Sequence, residues 1–476
     1  MVRKLLSIVL ILICALGMSA CSQKESVESN PQEDTLAFIE VDGKRIKNFK
    51  PETLKYDVIL PNETLVQPII KAENTNGISE NVKYKYPDTI EGVYMIKYNG
   101  TIYELNLEYD KQPTALNNSY YRLTQDKELN IAYFGGSVTN GYGSSSDDKT
   151  WRAIVTNYLK SKFPQAKINA KNSAIGGTGT EFGAYRAVTD LQLETYTPDL
   201  VFVEFAVNDV IDSTNASDSK IYMETIIRTI YSYAPNADIV MVFITGSSSK
   251  GEDFEQLIAH KDVAKEYGLP CINVGKALCA ELDSYLDMNF VDAKHPEWLK
   301  FFIDTVHPND AGYAKYASYI TGYLDKVFYS ERKSEKIKPS YLPKESSSNI
   351  LVKPEMFNAK GKTDISDFSV SDEGYLRTDK DGATLTVTFT GTSLKMWTFA
   401  GHQGSVLEYI IDDDETKSIT LSKSSDNHKI YKLAEGLTDT KHTVKITFKK
   451  STGLKVDIRN FLITGEKENK GFSITN

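Results

Sequence analysis

The sequence predicts an α/β protein in which a parallel five-stranded sheet, covered by helices on both faces, is flanked by two all-β sandwiches. Three observations carry this reading. Near-continuous apolar runs at residues 200–205 (Leu-Val-Phe-Val-Glu-Phe) and 239–244 (Ile-Val-Met-Val-Phe-Ile) alternate with amphipathic segments such as 222–233 and 254–267, each long enough to cross over a sheet. Toward both ends the pattern changes to short alternating runs, separated on the N-terminal side by turn pairs such as Asp42-Gly43 and Asn99-Gly100, as in antiparallel sandwiches. A chain of 476 residues also exceeds what one core serves.

The chain opens with Arg3 and Lys4 ahead of an apolar run at 5–16, the pattern of an export signal over residues 1–20. The run ends in Leu16-Gly17-Met18-Ser19-Ala20-Cys21, which is similar to a bacterial lipoprotein signal, with Met18 where that pattern usually has Leu. The resemblance implies lipid attachment at Cys21 and an exported lipoprotein held on the membrane at the bacterial cell surface. The other reading is a simple export signal with a chance cysteine. Residues 21–34 are polar and read as a disordered tether. Residues 35–113 read as a small β-sandwich, and the stretch from Phe49 to Val58 resembles cadherin-like modules, which implies spacing or docking.

A formal charge of −9 and the absence of a Lys/Arg cluster on a regular element exclude a general affinity for nucleic acid. Cys14 leaves with the signal. Cys271 and Cys279 remain, either bonded or as buried free thiols, since sequence cannot supply their separation. Neither has further ligands nearby for zinc, and no metal or cofactor is expected.

Residues 115–329 form the central α/β domain. Its first strand, Ile131 to Phe134, ends at Gly135 and Gly136; Ser137 follows, before a helix at 150–163. A serine at such a turn is held above the sheet edge beside free backbone N–H groups, which suits a nucleophile and equally a phosphate cradle. The second strand ends at Ala170, the third and fourth are the apolar runs above, and Cys271 opens the fifth. A last helix spans 310–328, and residues 330–348 read as a linker. Residues 349–466 form the second sandwich, and 467–476 a tail. Asp412, Asp413 and Asp414 read as an acidic hairpin turn in preference to a calcium site, and His402, His428 and His442 as surface or packing residues.

Three further segments reach the sheet edge that carries Ser137. Asn172-Ser-Ala-Ile-Gly-Gly-Thr178 follows the second strand, Ala206-Val-Asn-Asp209 the third, and Asp304-Thr-Val-His-Pro308 precedes the last helix, with Pro308 suited to its first position. A serine hydroxyl needs a base, and His307 can accept its proton. Asp304 can bond the other ring nitrogen and stabilise the imidazolium. The N–H groups of Ser137 and Gly177 and the side-chain amide of Asn208 can form an oxyanion hole. Asp209 either starts the next loop or braces the turn. Glu204 needs a partner if buried, and Arg186 is the candidate. His295, Glu297 and Trp298 either line the pocket mouth or lie on the surface.

The ordered set Gly-Gly-Ser, Gly-Gly-Thr, Val-Asn-Asp and Asp-Thr-Val-His resembles the SGNH (GDSL-type) hydrolase family over about 210 residues. The resemblance implies a three-layer α/β/α (flavodoxin-like) fold, Ser137 as nucleophile, Asp304 and His307 completing a triad, and Ser137, Gly177 and Asn208 as the oxyanion hole. Gly136 replaces the usual Asp of Gly-Asp-Ser, and Ala206 the Gly of Gly-x-Asn-Asp. The second sandwich looks like jelly-roll modules fused to some carbohydrate esterases. The expectation is a surface-tethered serine esterase that removes O-acetyl or similar short acyl groups from carbohydrate. The alternatives are a short-chain lipase or thioesterase, and a non-catalytic glycan-binding lipoprotein.

Overall fold

The computed structural model describes residues 35–282, 293–341, 355–358, 365–371, 375–398, 405–421, 429–449, 456–465 and 471–476. The export signal, Cys21, the tether, His402 and His428 lie outside the described residues.

In the N-terminal region, β1 (Leu36–Val41), β2 (Lys44–Arg45) and β4 (Ile70–Asn74) form a three-stranded antiparallel sheet in the order β2-β1-β4. A four-stranded sheet orders β3 (Lys55–Leu60), β7 (Thr101–Tyr109), β6 (Gly92–Tyr98) and β5 (Lys83–Lys85). Alternate residues of β7, Tyr103, Leu105 and Leu107, are buried while their neighbours are not, the period-two pattern of a sheet with one covered face.

The central domain carries five parallel strands in the order β12-β11-β10-β8-β9, comprising β8 (Glu128–Gly135), β9 (Lys167–Asn172), β10 (Leu200–Glu204), β11 (Asp238–Phe243) and β12 (Cys271–Asn273). Both faces of the central strands β10 and β11 are buried, which explains their unbroken apolar runs. Ile131, Tyr133, Leu200, Phe202, Val240 and Val242 pack with Trp151, Val155 and Leu159 of α3 (Trp151–Lys162) and with Tyr313, Tyr316 and Ile320 of the last helix, Asp310–Val327. The intervening Ala132, Phe134, Val201, Val203, Ile239 and Met241 pack on the opposite face with α4 (Thr180–Asp190), α6 (Ala216–Tyr233) and α7 (Glu255–Tyr267). Thr150 and Asn215 cap α3 and α6 by accepting from Ala153 N and Asp218 N.

In the C-terminal region, a six-stranded sheet holds β13 (Glu355–Asn358), β14 (Ser369–Val370), β15 (Leu376–Thr378), β17 (Ser393–Thr398), β20 (Lys429–Ala434) and β22 (Val456–Thr464). A five-stranded sheet holds β16 (Ala383–Gly391), β18 (Val406–Ile411), β19 (Lys417–Thr420), β21 (Thr440–Lys449) and β23 (Ser473–Thr475). Alternating residues of both meet in one core that includes Leu385, Val387, Met396, Val444 and Ile458.

Several expectations need correction. The segment read as a tail contains β23, which pairs with β16 because Ile474 is buried in that core. The first part of the segment read as a linker lies against the central domain. Arg332 donates to the carbonyls of Ala115 and Val327 at 2.7 and 2.6 Å, and Ser340 N to Pro235 O at 2.7 Å. Glu204 does not pair with Arg186, because strand alternation points it to the face of Leu200 and Phe202, opposite to α4. Arg186 bonds Asp190 and the carbonyls of Ser173 and Gly135 instead. Pro308 does not begin the last helix, since Asn309 caps it by accepting from Ala311 N and Gly312 N. Two other readings are decided without correction: of the alternatives left open for the cysteines, Cys271 and Cys279 are free thiols, and the acidic stretch is a turn. Asp412 and Asp413 form a turn with φ of 48° and 63°, and Asp412 bonds buried His442.

Candidate active site

The strand β8 delivers the reactive turn. Gly135 and Gly136 end it, and one turn of helix, α2 (Ser137–Asn140), begins at Ser137 and stops at Gly141, whose φ of 102° favours glycine. The two leading glycines are required by close approach. A Cβ on Gly135 would lie 2.6 Å from Glu204 O and from Thr139 Oγ1, and one on Gly136 would lie 2.0 Å from Asn208 Oδ1.

The structure brings Ser137, His307 and Asp304 into one hydrogen-bonded row. Ser137 Oγ is 2.8 Å from His307 Nε2, and His307 Nδ1 is 2.7 Å from Asp304 Oδ2. Local geometry orients the acid, because Asp304 Oδ1 accepts the N–H groups of Val306 and His307 at 2.9 and 2.8 Å. Partial burial alone would raise the Asp304 pKa, but these N–H groups and the imidazole outweigh it and hold the carboxyl below its usual range. Trp298, fully buried and stacked on Phe302 with centroids 3.8 Å apart, donates its indole N–H to Asp304 O and anchors the loop.

Gly177 (φ 70°) and Asn208, on α5 (Ala206–Ile211), line the same cavity as the row, as does Gly176, where a Cβ would lie 3.5 Å from Ser137 Cβ. Asp209 braces the surrounding loops. Its buried carboxylate accepts from Thr180 N at 2.6 Å and Thr180 Oγ1 at 2.8 Å, and it contacts Ser219 Oγ and His260 Nε2. Asp212 accepts from Gly179 N at 3.0 Å. Together they fix the start of α4 directly after the Gly176-Gly177 turn.

The cavity holds about 920 Å³, and part of its wall comes from the C-terminal sandwich through Trp397, Lys429 and Ile430. Trp397 packs on Phe182 of α4 with centroids 4.4 Å apart, in a cluster with Tyr185 and Leu462. Lys395 pairs with Glu181 and approaches Tyr222 OH at 3.1 Å. Tyr142 lies 4.5 Å from the His307 ring, centroid to centroid, and is 60% exposed. Sequence reasoning missed Tyr142, although it follows Ser137 in the same glycine-rich turn. It also missed Trp397, whose place depends on how the sandwich packs. His295 caps the short helix Pro296–Leu299, where its Nδ1 accepts from Glu297 N, and Glu297 pairs with Lys300. No group of three or more His, Cys, Asp or Glu that could hold a metal ion occurs among the described residues, nor does a helix long and apolar enough to cross a membrane.

Residues 133–315 match the model of the GDSL-like lipase/acylhydrolase family, and residues 368–466 that of the carbohydrate esterase 2 N-terminal domain. Among solved structures, the chain is similar to a two-domain esterase (CEX) active on acetylated mannans, with a TM-score of 0.62 and 22% identity over 75% of this chain and 97% of that one. The same esterase co-crystallised with mannopentaose gives a TM-score of 0.60 and 23% identity over the same shares. No curated protein sequence matches the chain. The central α/β domain is thus a GDSL-like lipase/acylhydrolase domain and the C-terminal sandwich a carbohydrate esterase 2 N-terminal domain, and the chain that joins them is a carboxylic ester hydrolase.

Proposed function

We propose that the protein is a surface-tethered serine esterase that removes O-acetyl or similar short acyl groups from a carbohydrate. The observation that carries the reading is the row from Ser137 Oγ through His307 to Asp304, with contacts of 2.8 and 2.7 Å, at the wall of a cavity spacious enough for several sugar rings. Ser137 Oγ attacks the ester carbonyl while His307 Nε2 takes its proton and Asp304 stabilises the imidazolium. The N–H groups of Ser137 and Gly177 and the Asn208 amide receive the negative oxygen of the tetrahedral intermediate. His307 then returns the proton to the departing sugar oxygen, and water, deprotonated by the same ring, releases the acid from the acyl-enzyme.

The carbohydrate substrate is supported by the esterase-type sandwich that walls the cavity and by the acetylated-mannan esterase of similar fold. The apolar run at 5–16 and the segment ending in Cys21 support export and a lipid anchor. Acetate release from acetylated mannan and xylan, set against p-nitrophenyl esters of rising chain length, tests the reading with Ser137→Ala as control. Preference for long acyl chains without acetate release would make the protein a lipase or thioesterase. Glycan binding without hydrolysis or fluorophosphonate labelling would make it a binding protein.

A further inference from the structure

Behind the reactive turn, on the side away from the cavity, stands a buried carboxyl that the proposed chemistry does not use. Glu204 ends β10 beside Gly135, its register partner, and is 1% exposed. Thr139 of α2 donates its hydroxyl to Glu204 Oε2 at 2.8 Å. The N–H groups of Gly136 and Thr139 face the same carboxyl and favour its charged form. They do so from outside close hydrogen-bond geometry, and Oε1 has no hydrogen-bond partner among the described residues. These neighbours sit on either side of Ser137 in the chain.

We propose that Glu204 is a positioning residue for the nucleophile: its ionised carboxylate draws the Thr139 hydroxyl and the N–H groups of Gly136 and Thr139 toward one point behind Ser137, and thereby fixes the Ser137 hydroxyl against His307. This rests on the reading of Ser137 as the nucleophile. The three groups that meet the carboxyl are donors, an environment suited to an acceptor-only anion. Protonation at Oε1 breaks no existing bond but removes the charge that orients the two backbone dipoles.

Burial pushes the Glu204 carboxyl up to about 7, against the lowering effect of Thr139 and the two N–H groups, and the charge of Asp209 on α5 adds to the rise. From the last helix, the phenols of Tyr313 and Tyr316 are raised chiefly by burial, and the charge of Glu204 adds to the rise. From α3, Arg152 donates to Thr139 O at 3.1 Å on the other side of the turn. Glu204 therefore changes charge in the range where an esterase base must also be neutral. Activity then depends on a deprotonation behind the serine in addition to that of the general base.

The test is kcat and KM of the full chain on p-nitrophenyl acetate from pH 5 to 9. Glutamine at 204 mimics the protonated acid. Glu204→Gln is expected to lower kcat at pH 8 at least tenfold with KM within twofold, and to remove one of the two ionisations from the acid limb. Glu204→Asp, which keeps the charge, is expected to restore that ionisation. Thr139→Val removes the closest donor, disfavours the anion and is expected to move the acid limb to higher pH; it decides the matter if Glu204→Gln fails to fold. A wild-type limb and a kcat within twofold in Glu204→Gln, or an unmoved limb in Thr139→Val, overturns the proposal. If Ser137→Ala remains active, the assignment of the nucleophile falls instead, so the two failures are separable.

Discussion

Asn208 Oδ1 occupies the space that a side chain on Gly136 would take, 2.0 Å from the position of its Cβ. The glycine that replaces the family's usual aspartate is therefore matched to the placement of the amide. Gly136→Ala is expected to push the Asn208 side chain out of position. The loss of one oxyanion donor should lower kcat by about 10² to 10³. Circular dichroism and steady-state kinetics on p-nitrophenyl acetate check this, with the fold retained and KM little changed.

Asp304→Asn is expected to reduce kcat by about 10³ to 10⁴. The asparagine oxygen can still accept from Val306 and His307 N–H, but its amide then meets His307 Nδ1 and favours the tautomer that leaves Nε2 protonated and unable to act as base. A crystal structure of the variant with the loop unmoved, together with the kinetic loss, would separate this from misfolding.

The exposed Tyr142 ring stands 4.5 Å from the His307 ring at an interplanar angle of 59°, and under the proposed mechanism it is expected to stabilise the imidazolium formed during attack. Such a contact is worth about 1 kcal/mol. Tyr142→Ala should then lower kcat roughly fivefold while Tyr142→Phe stays near wild type, by the exponential relation between barrier and rate. Equal losses in the two variants would assign the effect to the hydroxyl instead.

Trp397 lines the cavity from the sandwich while the row lies on the central domain, so under the proposed function it is expected to act on sugar binding more than on ester chemistry. Trp397→Ala is expected to raise KM for acetylated mannan oligosaccharides by about tenfold, equivalent to about 1.4 kcal/mol of lost contact. Turnover of p-nitrophenyl acetate should change little. Acetate release measured on both substrates checks the contrast.

Stability should fall as pH rises from 5 to 8. Burial raises Glu204 to about 7 and Asp238 to about 6. The unfolded chain releases these protons near the ordinary carboxylate range while the folded state keeps them, so the native state binds more protons between the two values and loses stability as pH climbs through that window. For Glu204 the loss is at most about 3 kcal/mol. Thermal melts at pH 5 and 8 check the sign, and Glu204→Gln should narrow the difference.

The central sheet was legible because parallel strands covered on both faces need unbroken apolar residues, and runs such as residues 200–205 supply them. The residues of the row were legible because each stands in a short ordered block at a strand end or just ahead of the last helix. Glu204 was given the wrong partner because the side of a strand is set by parity. It shares that parity with Phe202, on the face away from Arg186. Trp397 reads in sequence as one more apolar residue of a β-strand. Only the docking of Leu462 and Trp397 on Phe182 and Tyr185 turns it toward the cavity.

Helix α4 serves two masters: its start is bolted through Thr180 to Asp209, and Phe182 and Tyr185 of its first two turns form the seat for Trp397 and Leu462. An engineer who trims the enzyme to residues 115–329 would strip a greasy saddle bare next to the glycine turn, and should recover aggregate in place of a smaller catalyst. Chimaeras that trade one sandwich for another must carry over the matching tryptophan, leucine and lysine of that seam.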